Sequence, residues 1–305
     1  PCSSFWASSH LKTMSLPFSP GPRGPRAKQQ GEKNMGAKFT LERIGGRKAL
    51  DEIVCEVIAS GQAARRLAEE GRAFAQFKED GSPVTEADRM IESRLRACLS
   101  RLVPEANILG EEEGGSFPSE GELSFLIDPI DGTRAFMRGL STWSILVALL
   151  EGKRPVLGVA YLPAEDDLYL AVEGHGAYRN GRPLRVSQIS ALEEAAISHG
   201  ALAQFLVDGS ESALFEIAGR SASQRGLTDF DGYRRLLAGQ LDVVIDPAVA
   251  PWDIAAPAIL VREAGGRFTD LNGEETIFGR GAIASNGKIH EEVVAIFRRN
   301  SEARK

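Results

Sequence analysis

Histidine, cysteine and long apolar runs are scarce in this chain, and each scarcity removes a class of function. The three cysteines, Cys2, Cys55 and Cys98, form no CxxC pair and no even set. They read as inert thiols in a reducing compartment, with Cys55 and Cys98 on apolar helix faces. No apolar stretch approaches the ~20 residues a membrane span requires, which argues against a membrane protein. Four histidines are present and none lies inside an acidic motif; His175, His199 and His290 read as loop or surface residues. There is no G-x-S-x-G elbow. The run Gly281–Lys288 misses the phosphate-loop spacing and has no Ser or Thr after its lysine, and Gly174–Arg179 lacks the third glycine of a dinucleotide loop. Chemistry without histidine or a nucleophilic elbow must lean on metal ions.

What the chain does have is apolar mass and carboxylate. Of its 305 residues, 43% are apolar and 26% charged, an ordinary soluble globular composition with ample material for one large domain or two smaller ones. The net charge of −6 is unevenly spread: residues 1–47 carry eight Lys/Arg and two Glu, a balance of +6, so the other 258 residues carry −12. An acidic body argues against nucleic acid as the partner. It still admits an anionic substrate, because bound divalent cations invert the local field.

Residues 1–40, rich in Ser, Pro, Gly and Lys/Arg, read as a disordered or targeting extension. Apolar spacing predicts a helix over 48–72. After a turn at Lys78–Pro83, Thr85-Glu86-Ala87-Asp88 resembles a capping sequence opening a second helix that Pro104 ends. Strands follow at 143–150, 156–161 and 168–172, with a hairpin signal at Asn180-Gly181. From Leu192 helices and strands alternate, the last helix being Trp252–Ala264. Two layered halves follow, 41–190 of α+β style and 191–305 of α/β style.

The chain is organised around Leu123–Thr133. Its apolar strand stops at Asp128-Pro129, since proline cannot continue a ladder. Asp131, Gly132 and Thr133 follow. Glu111 and Glu112 stand at another strand-to-loop edge, and Asp253 opens an apolar helix. Singly, a Glu run is a solvated face and an Asp at a helix start is a cap. Together, Glu111, Asp128, Asp131 and Asp253 suit two Mg²⁺ or Mn²⁺ ions about 4 Å apart, an arrangement that activates water and stabilises a leaving oxygen.

Four patterns in order, Gly110-Glu111-Glu112, Asp128-Pro129-Ile130-Asp131-Gly132-Thr133, Trp252-Asp253-Ile254-Ala255-Ala256 and Glu263-Ala264-Gly265-Gly266, resemble the inositol monophosphatase superfamily. Val84-Thr85-Glu86-Ala87-Asp88 fits its upstream motif, and the resemblance spans roughly 48–295. It implies a layered αβαβα sandwich and a Mg²⁺-dependent, commonly lithium-sensitive phosphatase that works as a cytoplasmic homodimer on a small phosphate monoester. By the same resemblance, Glu111, Asp128 and the Ile130 carbonyl would hold the first ion, and Asp128, Asp131 and Asp253 the second. Glu111 with Asp88 would hold a weaker third. The N–H groups of Gly132 and Thr133 would take the phosphate, and Thr133 with Glu111 or Glu112 would orient the attacking water.

Departures bear on the substrate. Asp246 stands where a glutamate is usual, Pro257 replaces a common glycine, and Asp229 and Asp231 resemble the histidinol-phosphate phosphatase branch, although both also read as helix caps. The expected substrate is inositol monophosphate, with histidinol phosphate next and 3′-phosphoadenosine 5′-phosphate third. A cation-binding scaffold without catalysis is the rival from another class.

Overall fold

The computed structural model describes residues 39–70, 75–77 and 83–302. The extension expected over 1–40 lies outside these except for its last two residues, of which Phe39 is buried in the core. The expected turn at 78–83 also lies outside them apart from Pro83. No helix among the described residues is long and apolar enough to cross a membrane.

A short 3-10 turn at Leu41–Ile44 leads into helix α1 (Gly46–Glu69). A two-stranded antiparallel hairpin, β1 (Ala75–Phe77) with β2 (Pro83–Thr85), precedes α2 (Glu86–Leu102). The cap expected at Thr85 is present. Thr85 Oγ1 accepts from the N–H groups of Ala87 and Asp88, while Asp88 Oδ2 accepts from the Thr85 N–H at 2.6 Å, the reciprocal pair of a capping box. Cys98 is buried on α2, but Cys55 is only half-buried on α1, so the core position expected of both holds for Cys98 alone.

Seven strands follow: β3 (Asn107–Gly110), β4 (Leu123–Asp131), then, after the short helix α3 (Thr133–Met137), β5 (Ser144–Glu151), β6 (Arg154–Leu162), β7 (Asp167–Val172), β8 (Gly176–Arg179) and β9 (Arg182–Pro183). They form one sheet in chain order, antiparallel except for β3 with β4. Asn180-Gly181, both at positive φ, makes the β8–β9 turn, as that dipeptide favours. Every residue of β4 is buried, and successive side chains alternate between faces: Phe125 and Ile127 pack with α1 and α2, and Leu126 packs on the other side.

The rest of the chain supplies β10 (Ala196–His199), α4 (Leu202–Asp208), α5 (Glu211–Arg220), β11 (Ser223–Arg225), α6 (Asp229–Leu237) and β12 (Val243–Asp246). It ends with α7 (Pro251–Glu263), β13 (Arg267–Thr269), β14 (Ala282–Ser285) and α8 (His290–Glu302). Its five strands form a second sheet in the order β11-β10-β12-β14-β13. Between the sheets lie α6 and α7, where Phe230, Leu236, Ile259 and Leu260 meet Leu146 and Ala160 on one side and Val244 and Ala284 on the other. α7 is apolar nearly all round because it is covered on every side. Phe205, Leu214, Val293 and Phe297 of α4, α5 and α8 cover the far face through Ile197, Ile245 and Ile283. The layers run α, β, α, β, α, as expected.

His290 overturns a sequence expectation. It is fully buried rather than in a loop or at the surface, with Nε2 3.0 Å from Thr269 Oγ1 and Nδ1 2.8 Å from Ser285 Oγ. The two hydroxyls engage both ring nitrogens, which makes burial tolerable.

Candidate active site

Two aspartates three apart on a regular strand point to opposite faces. β4 avoids this with a bulge. Asp128 pairs with Leu146 and Asp131 with Ser144, so β4 advances three residues while β5 advances two. Leu146 and Ser144 share a face, and the extra residue on β4 therefore brings Asp128 and Asp131 to that same face. Pro129, inside the bulge, has no N–H to lose from the ladder.

Asp131 is then fixed from two directions. Its Oδ2 accepts from Ser144 Oγ and from the Phe230 N–H at the start of α6, both at 2.8 Å. The chain next turns sharply at Gly132, whose φ of +84° is left-handed and whose Cα faces Asp229: a methyl there would lie 3.0 Å from Asp229 Oδ2. Only glycine meets both demands at low cost. Thr133 opens α3 and its hydroxyl donates to the Ile130 carbonyl at 3.1 Å.

The other carboxylates converge from separate elements. Asp88 comes from the first turn of α2, Glu111 from the turn after β3, and Asp253 from the first turn of α7, where its Oδ2 accepts from the Ala250 N–H at 2.8 Å. Asp253 thus caps its helix and still belongs to the cluster. Pro257, four residues on, has no N–H to offer the Asp253 carbonyl. Burial raises the Asp128 carboxyl well above its ordinary range, and the charges of Glu111, Asp131, Asp253 and Asp88 push it the same way. Asp131 is raised first by burial and then by Asp229, against the bonds from Phe230 and Ser144. Burial takes Asp253 to about 7, with Glu111, Asp246 and Asp229 adding. Burial takes Asp88 to about 6, opposed by its bonds from Thr85, with Glu111 adding. Of the two glutamates, Glu111 acts on Asp88, Asp128 and Asp253, whereas Glu112 is tied through its backbone N–H to Glu92 Oε2 at 2.8 Å.

A cavity of about 520 Å³ opens beside the cluster, lined by Asp131, Gly132, Thr133, Asp229, Asp246 and Asp253. Three aspartates of the second half, Asp229, Asp231 and Asp246, differ in kind. Asp231 is buried against Arg234, whose Nε lies 2.5 Å from Asp231 Oδ1, so its charge is answered inside the fold. Asp229 instead lines the cavity at a φ of +55° and is raised by burial. Asp246 lines it too, accepts from the Tyr233 hydroxyl at 2.8 Å, and is raised to about 6 by burial. Sequence reasoning missed Tyr233 and Ser144. Tyr233 had a signal, standing one helical turn after Asp229 on α6. Ser144 had none, because its role depends on the β4–β5 register.

Asp128 Oδ1 and Asp88 Oδ1 are buried without a hydrogen-bond partner among the described residues, and such carboxylate oxygens are what a hard cation takes as ligands. Among the described residues, no three Asp, Glu, His or Cys side chains are drawn together tightly enough to close a coordination shell unaided. The expected ligands are electrostatic neighbours, not a finished cage.

The sequence profile of the inositol monophosphatase family matches residues 46–302. A histidinol-phosphatase of Mycobacterium tuberculosis is 39% identical over 222 residues, 71% of this chain and 85% of the relative. A Thermotoga maritima protein named fructose-1,6-bisphosphatase/inositol-1-monophosphatase is 37% identical over 219 residues, 70% of this chain and 81% of the relative. Among solved structures, the IMPase of Thermotoga maritima matches with a TM-score of 0.72 at 32% identity, covering 84% of this chain and 99% of that one. The match spans all five layers and every carboxylate of the corner: the chain belongs to the inositol monophosphatase family, whose relatives named here are phosphatases acting on phosphate monoesters.

Proposed function

We propose that this protein is a phosphomonoesterase dependent on a divalent cation, Mg²⁺ before Mn²⁺, and that its substrate is a small amino-alcohol phosphate of the histidinol phosphate type. The observation that carries the substrate is Asp229. It faces the cavity beside Gly132, while its neighbour Asp231 is spent on Arg234. With Asp246 it adds two carboxylates to the cavity beside Asp131 and Asp253, and they suit the ammonium of an amino alcohol better than the hydroxyls of a polyol. The Mycobacterium tuberculosis relative carries that activity in its name. Inositol monophosphate, first by sequence resemblance, becomes second.

Glu111, Asp128 and the Ile130 carbonyl would hold one ion, Asp128, Asp131 and Asp253 another, and Glu111 with Asp88 a third. When bound, such ions lower the pKa of a water and neutralise charge on the phosphate and the leaving oxygen. The protein's own groups do the rest. The N–H groups at the Gly132–Thr133 corner open the first turn of α3, where no helical acceptor serves them, and they receive phosphate oxygens. Because the Thr133 hydroxyl donates to the Ile130 carbonyl, what it offers a water is its lone pairs. Thr133 Oγ1 and the Glu111 carboxylate thus accept from the attacking water and aim it, with no covalent enzyme intermediate. The homodimer and the lithium sensitivity common in the family complete the expectation, testable by sedimentation and by Li⁺ titration.

The deciding assay is phosphate release from histidinol phosphate, inositol 1-phosphate and 3′-phosphoadenosine 5′-phosphate in saturating Mg²⁺. We expect histidinol phosphate to lead in kcat/KM by about tenfold or more, since a charge-assisted contact is worth roughly 1.5–3 kcal/mol. A preference for inositol phosphate overturns the substrate. Release from none of the three supports the scaffold rival.

A further inference from the structure

Glu92 is fully buried on α2, yet it is not a ligand of the cluster. Its two carboxylate oxygens are spent on the backbone of the turn after β3. Oε2 accepts from the Glu112 N–H at 2.8 Å and Oε1 from the Glu113 N–H at 3.0 Å. The Glu111 N–H, immediately before, donates to the Ile127 carbonyl of β4 at 3.2 Å. Three successive N–H groups are therefore fixed, one by the central strand and two by Glu92.

Arg96, one helical turn on, answers the buried charge. Its Nε donates to Glu92 Oε1 at 2.9 Å and its Nη2 lies 2.8 Å from the same oxygen. The same guanidinium reaches the carbonyls of Ile108, at 3.4 Å, and Gly114. Gly110 and Gly114 close the turn with reciprocal backbone bonds of 3.0 and 3.1 Å. Space at Gly110 is already taken, because an added methyl would overlap Glu92 Oε1.

The spacing of Asp88, Glu92 and Arg96 at i, i+4 and i+8 puts all three on one face of one rigid helix. Asp88 belongs to the cluster directly, and the charge of Glu111 acts on it. We infer that Glu92, neutralised by Arg96, is a positioning residue that holds Glu111 at the cation site by gripping the backbone of its turn. The charge of Glu111 raises Asp88, Asp128 and Asp253, so ionised carboxylates gathered at this point repel one another. A grip on the next two N–H groups resists that repulsion without using a ligand oxygen. Outer partners of this sort typically contribute roughly 10- to 100-fold in metal affinity or activity. The inference rests on the reading of Glu111 as a cation ligand.

The test compares Glu92→Gln, Arg96→Lys and Glu111→Gln with the parent protein. Three quantities are measured: calorimetric affinity for Mn²⁺, the Mg²⁺ concentration for half-maximal turnover, and substrate KM at saturating Mg²⁺. Glu92→Gln swaps one acceptor oxygen for a donor nitrogen without changing shape. We expect it to weaken Mn²⁺ binding and raise the Mg²⁺ requirement by about tenfold or more, with KM moving less than twofold. A purely structural role would lower the unfolding temperature and leave the Mn²⁺ affinity alone. Arg96→Lys keeps the neutralising charge, so it folds even where Glu92→Gln does not, and it should shift the same two quantities by a smaller factor. If the folded variants bind Mn²⁺ with unchanged affinity while Glu111→Gln binds it poorly, the positioning role is overturned. If Glu111→Gln is also unchanged, the assignment of Glu111 as a ligand falls and takes the positioning role with it.

Discussion

The backbone N–H of Phe230 donates to Asp131 Oδ2 at 2.8 Å across 99 residues of sequence. This bond ties the first turn of α6, and with it Asp229, to the bulged end of β4. The Ser144 hydroxyl ends on the same oxygen, so both neutral donors fall on Oδ2 and the charge of the carboxylate is directed through Oδ1. Asp131→Asn keeps the oxygen that Ser144 and Phe230 need and replaces the other by an amide nitrogen. Turnover at saturating Mg²⁺ should fall more than roughly 100-fold, beyond the range that outer partners of a metal site command. Circular dichroism and the unfolding temperature should stay close to the parent values. Retained turnover in a folded variant would count against the ligand assignment.

Removal of the cation is the companion experiment. Dialysis against EDTA should abolish phosphate release, and Mg²⁺ should restore it, because the buried Oδ1 atoms of Asp88 and Asp128 have no hydrogen-bond partner among the described residues and are open to a hard cation. Full activity in chelator contradicts the proposal.

Selectivity should follow Asp229. Asp229→Asn removes a carboxylate that lines the cavity, while Asp231 remains paired with Arg234. The ratio of kcat/KM for histidinol phosphate over inositol phosphate should drop about tenfold, the scale of one charge-assisted contact. A common fall for both substrates would point to Asp131, which Asp229 also touches electrostatically, and not to substrate recognition.

Stability should show the buried imidazole of His290. Burial lowers its pKa from 6.5 to about 4. The unfolded chain therefore binds more protons between those values, and folding stability must fall as pH drops from 6.5 towards 4. The contribution is fully present above pH 6.5 and amounts to about 3 kcal/mol, from about 1.4 kcal/mol per pH unit. Asp88, Asp246 and Asp253, raised by burial, act in the opposite sense. Urea unfolding of the parent and of His290→Asn at pH 7 and pH 4.5 isolates the histidine. The gap between the two proteins should narrow at the lower pH, and a constant gap refutes the assignment.

Much of the fold was legible because its signals are local. The Thr85–Asp88 cap, the Asn180-Gly181 turn and the apolar stripes of α1 and α2 each act within one or two turns of chain. The residue types of the corner were legible for a similar reason: Asp128 to Thr133 is a contiguous run, and its glycine marks where the strand ends, although β4 runs on through Pro129 to Asp131 and does not stop at Asp128 as the proline suggests. The functions of Asp229, Asp231 and His290 were not legible. Cap, pocket residue and ion-pair member are equally consistent with an aspartate at a helix start, and only a neighbour from elsewhere decides between them.

The sequence by itself determined the inventory: carboxylates in place of nucleophiles, a glycine where the chain must turn left-handed, and apolar periods of two and of 3.6 that demand layers. Tertiary structure decided where those groups point. Strand alternation alone would send Asp128 and Asp131 to opposite sides of the sheet. It is the register of β4 against β5, with its one extra residue, that sets both on one side. Pairing register and buried partners such as Ser144, Arg234 and Glu92 are products of contacts between distant segments, whose free energy is realised only when the whole layer packs.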